Sequence, residues 1–234
     1  MRQGRLSSKP ANRPSNQAAR EVPRAPFRCR LVVMVKEPVG GRVKTRLTQQ
    51  AGLSRALGFY RHTIASVLAR VGRDPRWTTM LAITPDTAVH SRSWPAHLPR
   101  LAQGGGDLGA RMQRIFDRLP PGPVIVVGSD IPGITAAVIA KAFRQLAGRD
   151  AILGPAGDGG YWLVGLQRRP QIARPFGRVR WSTRHALADT RANLEGARIA
   201  ETALLHDVDD LADLARPGLT SGRQVLPRHS RKSK

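Results

Sequence analysis

The sequence has a single cysteine, Cys29, which excludes an internal disulfide framework and any zinc site built from several thiolates. Aromatic residues make up only 5% of its 234 residues, so Val, Ile, Leu and Ala must fill the core. No apolar run approaches the roughly 20 residues that a bilayer-spanning helix needs, and no membrane span is expected. Acids are scarce: 16 Asp and Glu stand against 39 Lys and Arg, a formal net charge of +23. Two nucleotide-binding signatures are also missing. Val43, not glycine, precedes Lys44-Thr45, so the basic loop there is not a Walker P-loop, and the glycines around Asp107 do not fit the dinucleotide fingerprint. What is present is a near-average globular composition, 41% hydrophobic and 24% charged, on a length that suits one domain with tails.

A charge of +23 invites a nucleic-acid reading, because clustered cations gain affinity by releasing phosphate counterions. Its distribution argues otherwise. Residues 1–30 carry +7, residues 216–234 carry +6 and residues 31–215 carry the remaining +10. Both ends are polar and lack periodic apolar positions. They are expected to be disordered basic tails, over 1–28 and 216–234, flanking one domain at 29–215. No nucleic-acid-binding motif accompanies the charge, and aromatics are sparse for stacking on bases. Specific nucleic-acid binding is therefore only a minor alternative. The N-terminal tail lacks the apolar segment of a secretory signal, and a cytoplasmic location is expected.

Between the tails, strand and helix patterns alternate. Arg30–Lys36, Thr78–Thr84, Val124–Gly128, Ala151–Leu153 and Tyr161–Leu166 read as buried strands, with a shorter one near Leu98–Ala102. Helices are expected over Ser54–Val71, Asp107–Leu119, Thr135–Ala147 and Thr183–Leu194, and a last one opening at Asp209. Ser54, Asp107, Thr135, and Ser182 or Thr183 are candidate N-caps. Glu37–Thr48 reads as a loop. This alternation predicts an α/β sandwich with a largely parallel sheet. In such sheets ligands bind beyond the carboxyl ends of the strands, so those tips are where chemistry is expected.

Five segments there carry suitable residue types. In the loop after the first strand, Gly41 allows close backbone approach, while Arg42, Lys44 and Arg46 with the Thr45 hydroxyl suit a polyphosphate. Gly104-Gly105-Gly106-Asp107 is either a ligand loop at a helix start or a turn with an N-cap. Asp130 follows a buried strand, and its place at the strand tip favours a carboxylate that holds Mg2+ with substrate phosphates; a turn former before Pro132 is the alternative. Asp158 lies among Gly154, Gly157, Gly159 and Gly160, a density that suggests close approach of a bulky ligand, on which Tyr161 or Trp162 could stack. Asp207 and Asp209 share a face if extended, so either could complete a metal site; Asp209 could equally cap the last helix.

Taken in order, these segments resemble the bacterial transferase family associated with radical-SAM and selenodomain proteins, also described as arsenosugar-biosynthesis glycosyltransferase-like. The resemblance runs through Lys36-x-Pro38, Gly41-x-Val43-Lys44-Thr45-Arg46-Leu47, Gln103-x-Gly105-x-Asp107-Leu108-Gly109-x-Arg111-Met112, Gly128-Ser129-Asp130-Ile131-Pro132-Gly133, Asp158-Gly159-Gly160-Tyr161-Trp162-Leu163, Trp181-Ser182-Thr183 and Asp207-x-Asp209. It covers about 29–215, and departs from the family where Gly40 replaces a usual proline. It implies a three-layer α/β/α sandwich of the nucleotide-diphospho-sugar transferase, glycosyltransferase A type. It also implies a metal-dependent transferase that takes a nucleotide or nucleotide-sugar donor and a small-molecule acceptor. Gly41, Arg42, Lys44, Thr45, Arg46, Gly105, Asp107 and Arg111 would then bind the nucleotide. Asp130, with Asp209 or Asp207, would hold Mg2+ or Mn2+. Asp158 and Lys44 would be catalytic. Gly159, Gly160, Tyr161, Trp162, Trp181, Ser182 and Thr183 would face the acceptor. The same superfamily holds guanylyltransferases, one of which shares a Lys-x-Arg-Leu element, so nucleotidyl transfer is the rival expectation.

Overall fold

The structure is a computed structural model that describes residues 28–40, 43, 45–169, 171 and 173–206. Strand β1 (Arg30–Lys36) leads through helices α1 (Thr45–Ala51) and α2 (Leu53–Val71) to β2 (Thr78–Thr84). A 3-10 turn (Asp86–His90) and β3 (Arg100–Ala102) follow, then α3 (Leu108–Arg118), β4 (Gly122–Gly128) and α4 (Ala136–Leu146). The hairpin β5 (Ala151–Pro155) and β6 (Tyr161–Arg168), helix α5 (Ala186–Ala192) and β7 (Ile199–Glu201) complete the described chain.

These strands form one seven-stranded sheet in the order β3-β2-β1-β4-β6-β5-β7. All neighbours are parallel except those of β6, which runs against both β4 and β5. Strand residues alternate between two cores, as a period of two requires. Leu31, Val33, Val35, Ile125 and Val127 pack towards α2 and α4 in one core. Val32, Val124 and Val126 pack with Met112, Ile115 and Phe116 of α3 in the other. Apolar strands coated on both faces give the expected sandwich.

Local differences from the sequence reading have physical causes. The loop after β1 ends early, because Thr45–Ala51 forms a short helix whose Leu47 is buried against Ala56 and Phe59. Ser54 does not cap α2. The helix starts one residue sooner, after Gly52, whose φ of 84° suits glycine, and no side chain caps it. Asp107 and Thr135 do cap α3 and α4, accepting from Ala110 N and Val138 N. Neither Ser182 nor Thr183 caps α5, which begins only at Ala186; Thr183 instead braces the turn before it, donating to Arg180 O and accepting from His185 N. Strand β7 is too short for periodicity to reveal, and the helix expected from Asp209 lies outside the described residues. No described helix is long and apolar enough to cross a membrane.

Candidate active site

A cleft of about 570 Å³ opens where the carboxyl ends of β1, β2 and β4 meet the amino end of β6. Antiparallel β6 therefore delivers its first residues, Tyr161 and Trp162, to the same edge as the tips of its parallel neighbours. Met34–Lys36, Thr84, Val126–Asp130 and Gln103 form one side, with Val43, Thr45, Tyr60, Leu108 and Met112 closing it.

The first wall is the segment leaving β1. Tyr60 of α2 fixes its start: the phenol accepts from Lys36 N and donates to Lys36 O, both at 3.1 Å. Glu37 N donates to Thr84 O, and Arg61 donates to Pro38 O, so the strand end is held from two sides. Of the expected phosphate-binding residues, Thr45 lines the cleft. Gly41, Arg42, Lys44 and the side chain of Arg46 lie outside the described residues. Tyr60 carried no signal beyond a buried position on a helix, so its role at the strand end was not legible.

The second wall is the tip of β4. Buried Ser129 and half-buried Asp130 line the cleft. The Asp130 carboxylate folds back over Gly128, where a methyl group would sit 3.2 Å from its Oδ1. Gly128 therefore makes room for the acid. Among the described residues no three His, Cys, Asp or Glu side chains gather closely enough to hold a metal by themselves. Asp207 and Asp209 lie outside the described residues.

The Gln103–Arg111 segment is shaped mainly by the protein itself. Gly104 and Gly106 have φ of 75° and 94°, which lets the turn fold. Arg114 donates to the carbonyls of Gln103 and Gly105, and Arg111 Nε to that of Gly106, so part of the Arg111 guanidinium holds the loop. Asp107 is the N-cap and does not line the cleft. Leu108 is 45% exposed and lines the cleft with Met112, one turn on.

The glycines around Asp158 also have protein neighbours, which corrects the reading that they clear space for a ligand. A methyl group at Gly154 would meet the Trp162 indole at 2.8 Å, and one at Gly157 would overlap His206. Gly159 has φ of 85° and lies under the Arg184 backbone. Asp158 Oδ1 accepts from Gly160 N, closing a tight turn, and neither residue lines the cleft. Tyr161 and Trp162 are the acceptor candidates that do line it. Trp162 is 3% exposed and donates to Ala203 O, so most of its ring is core. The Tyr161 hydroxyl meets Thr190, and burial pushes its pKa well above the usual phenol range. Trp181 stands behind Tyr161, edge to face at 6.3 Å, and packs over Gly109. Ser182, with φ of 59°, and Thr183 belong to the turn that places Trp181. Trp181, Ser182 and Thr183 thus support the site from outside its lining.

The chain beyond β7 returns to the same edge. Leu205 bridges to Ala156 and packs against Gly133, and His206 sits against Gly157. The segments ending in Asp130 and in Asp158 are thereby joined to the one that precedes Asp207.

The architecture is the nucleotide-diphospho-sugar transferase fold of the glycosyltransferase A type, a mostly parallel seven-stranded sheet with helices. The chain belongs to the family described as "Uncharacterized protein conserved in bacteria (DUF2064)", whose model matches residues 67–183. A crystal structure of a "putative nucleotide-diphospho-sugar transferase" from Desulfovibrio desulfuricans G20 is similar at 29% identity, with a TM-score of 0.71, over 80% of this chain and 84% of that one. Two more distant structures share the fold alone. They are an Rv0371c homologue from Mycobacterium sp. strain JC1 (15% identity, TM-score 0.51, covering 81% and 94%) and 4-diphosphocytidyl-2C-methyl-D-erythritol synthase from Anaerococcus prevotii DSM 20548 (9% identity, TM-score 0.51, covering 80% and 95%). No curated protein matches the sequence.

Proposed function

We propose that the protein is a metal-dependent transferase using an activated nucleotide, in the first instance a glycosyltransferase acting on a nucleotide-diphospho-sugar. The observation that carries this reading is the cleft itself. It joins the end of the basic loop, the Asp130 carboxylate and the aromatic start of β6 at one sheet edge. The 29% identity to a "putative nucleotide-diphospho-sugar transferase" supports it, as do the motifs shared with the radical-SAM-associated transferases. In this reading the Gly41–Arg46 loop binds the phosphates, with Lys44 against the leaving group. Asp130 would hold Mg2+ or Mn2+, and the donor set fits: a hard oxygen ligand at a strand tip, with phosphate oxygens completing the shell. Such an ion, when bound, supplies stabilisation of the charge on the departing phosphate. Asp158, at the neighbouring loop, orients the acceptor through the carboxylate oxygen not used in its turn.

The Lys44-x-Arg46-Leu47 element, shared with a guanylyltransferase, favours a second reading, nucleotidyl transfer with release of pyrophosphate. The released product separates the two. Incubation with a panel of nucleoside triphosphates and nucleotide-sugars, with Mg2+ or Mn2+ and a panel of small-molecule acceptors, should release a nucleoside diphosphate from a sugar donor as the sugar passes to an acceptor. Pyrophosphate release instead would establish the second reading. Release of neither, with any metal, would overturn both.

A further inference from the structure

We propose that a second cavity, on the outer side of α2, binds an elongated amphiphilic anion: a carboxylate on an unbranched apolar chain, with its head on Arg73. The cavity is about 630 Å³ and lies between α2 and the Ser93–Leu98 segment. Among the described residues it shares no lining residue with the candidate active site, so its ligand is not the nucleotide. The floor is apolar, with Ile64 and Leu68 of α2 facing Trp94 and Leu98. Ala65 and Ala69, one turn apart on α2, line it with side chains too short to fill it. The wall opposite α2 has no regular structure, yet it is held. Arg100 donates to the carbonyls of Val89, Ser91 and Trp94, and the Trp94 indole donates to Ala88 O. The space is thus already built, at a volume typical of small-molecule sites.

Charge selects the ligand. Among the described residues, both ionic side chains that line the cavity, Arg61 and Arg73, are cations. They mark its two ends, because α2 rises about 15 Å from Arg61 to its last residue, Val71. Arg61 is engaged, donating to Pro38 O. Arg73 makes no hydrogen bond or ion pair among the described residues. Asp74, next in sequence, is taken by Arg76. His97 brings a ring N–H to the Arg73 end, since its neighbour Leu98 packs beside Gly72, the residue before Arg73. A carboxylate there gains charge-assisted hydrogen bonds, while its chain leaves water along the floor towards Arg61. A bare anion forgoes the floor, and an uncharged chain forgoes Arg73.

Calorimetric titration of the full chain with octanoate, below its micellar range, tests this. Octanoate should occupy one saturable site, about tenfold or more tightly than octanol, which lacks the charge, or acetate, which lacks the chain. Arg73→Gln, and Ala69→Phe, which fills the floor, should each weaken octanoate about tenfold. Arg55→Gln, at an exposed arginine elsewhere on α2, should leave it within about twofold. That contrast separates the site from general attraction to a chain of net charge +23. No saturable octanoate binding, octanol or acetate binding as tightly, full affinity in either cavity variant, or an equal loss in Arg55→Gln would overturn the proposal. Arg73 and Ala69 are both exposed, and thermal unfolding reports whether each variant folds. If neither does, the three ligands on the native chain decide.

Discussion

Replacing Asp130 by Asn removes one negative charge from the cleft and leaves its volume unchanged. If Asp130 holds a divalent ion, nucleotide affinity measured with Mg2+ or Mn2+ should fall about tenfold or more, while affinity without metal changes little. The melting temperature of the free protein should hold, since the residue sits in a loop at the tip of β4. Equal affinities with and without metal in the native protein would remove the assignment. Tyr60 makes the opposite kind of contribution, positional and structural. Its phenol bridges both backbone groups of Lys36 from a buried site. Tyr60→Phe should lower the unfolding free energy in urea by about 1–3 kcal/mol and loosen the loop that leaves β1, raising KM for the nucleotide more than it lowers kcat. Such details were only partly legible in the residues. An aspartate after a buried strand marks itself as a candidate ligand by place and type. A tyrosine that works by touching distant backbone does not, because its partners become neighbours only in the folded sheet.

Among elements, those with strong periodicity were legible and those set by tertiary contacts were not. Strands β1, β2 and β4 and helices α3 and α4 came within a few residues of their observed limits, since their apolar pattern alone specifies them. The short α1 and β7 exist because of what they pack against. The turn of Trp181–Thr183 shows the same dependence, and it yields a pH prediction. The Arg180 guanidinium and backbone N–H donate to the Asp189 carboxylate, at 2.7 to 3.0 Å, and hold its pKa well below the usual carboxylate range. A carboxylate with a depressed folded pKa adds stability that is complete above its unfolded value, about 4, and is lost as pH falls towards the folded value. Asp189→Asn should therefore be less stable than the native chain at pH 7, and the gap should close below about pH 4, as read from urea unfolding at a series of pH values. A gap that stays constant with pH would assign the loss to geometry and not to the ion pair.

For the molecule as a whole, charge and function separate. More than half of the +23 lies in residues 1–30 and 216–234, of which Arg30 alone belongs to a described strand. Deleting 1–27 and 217–234 should abolish most low-salt retention on heparin or duplex DNA and leave nucleotide affinity at the cleft unchanged. Tight, salt-resistant DNA binding by the shortened chain would restore the nucleic-acid reading. The return of the chain after β7 has a consequence for the order in which the protein is made. Leu205 fills the hollow over Gly133, and His206 fills the one over Gly157. Both contacts brace loops at the cleft rim, yet both come from residues that leave the ribosome after every strand of the sheet. All seven described strands are therefore made before the two residues that fill these hollows.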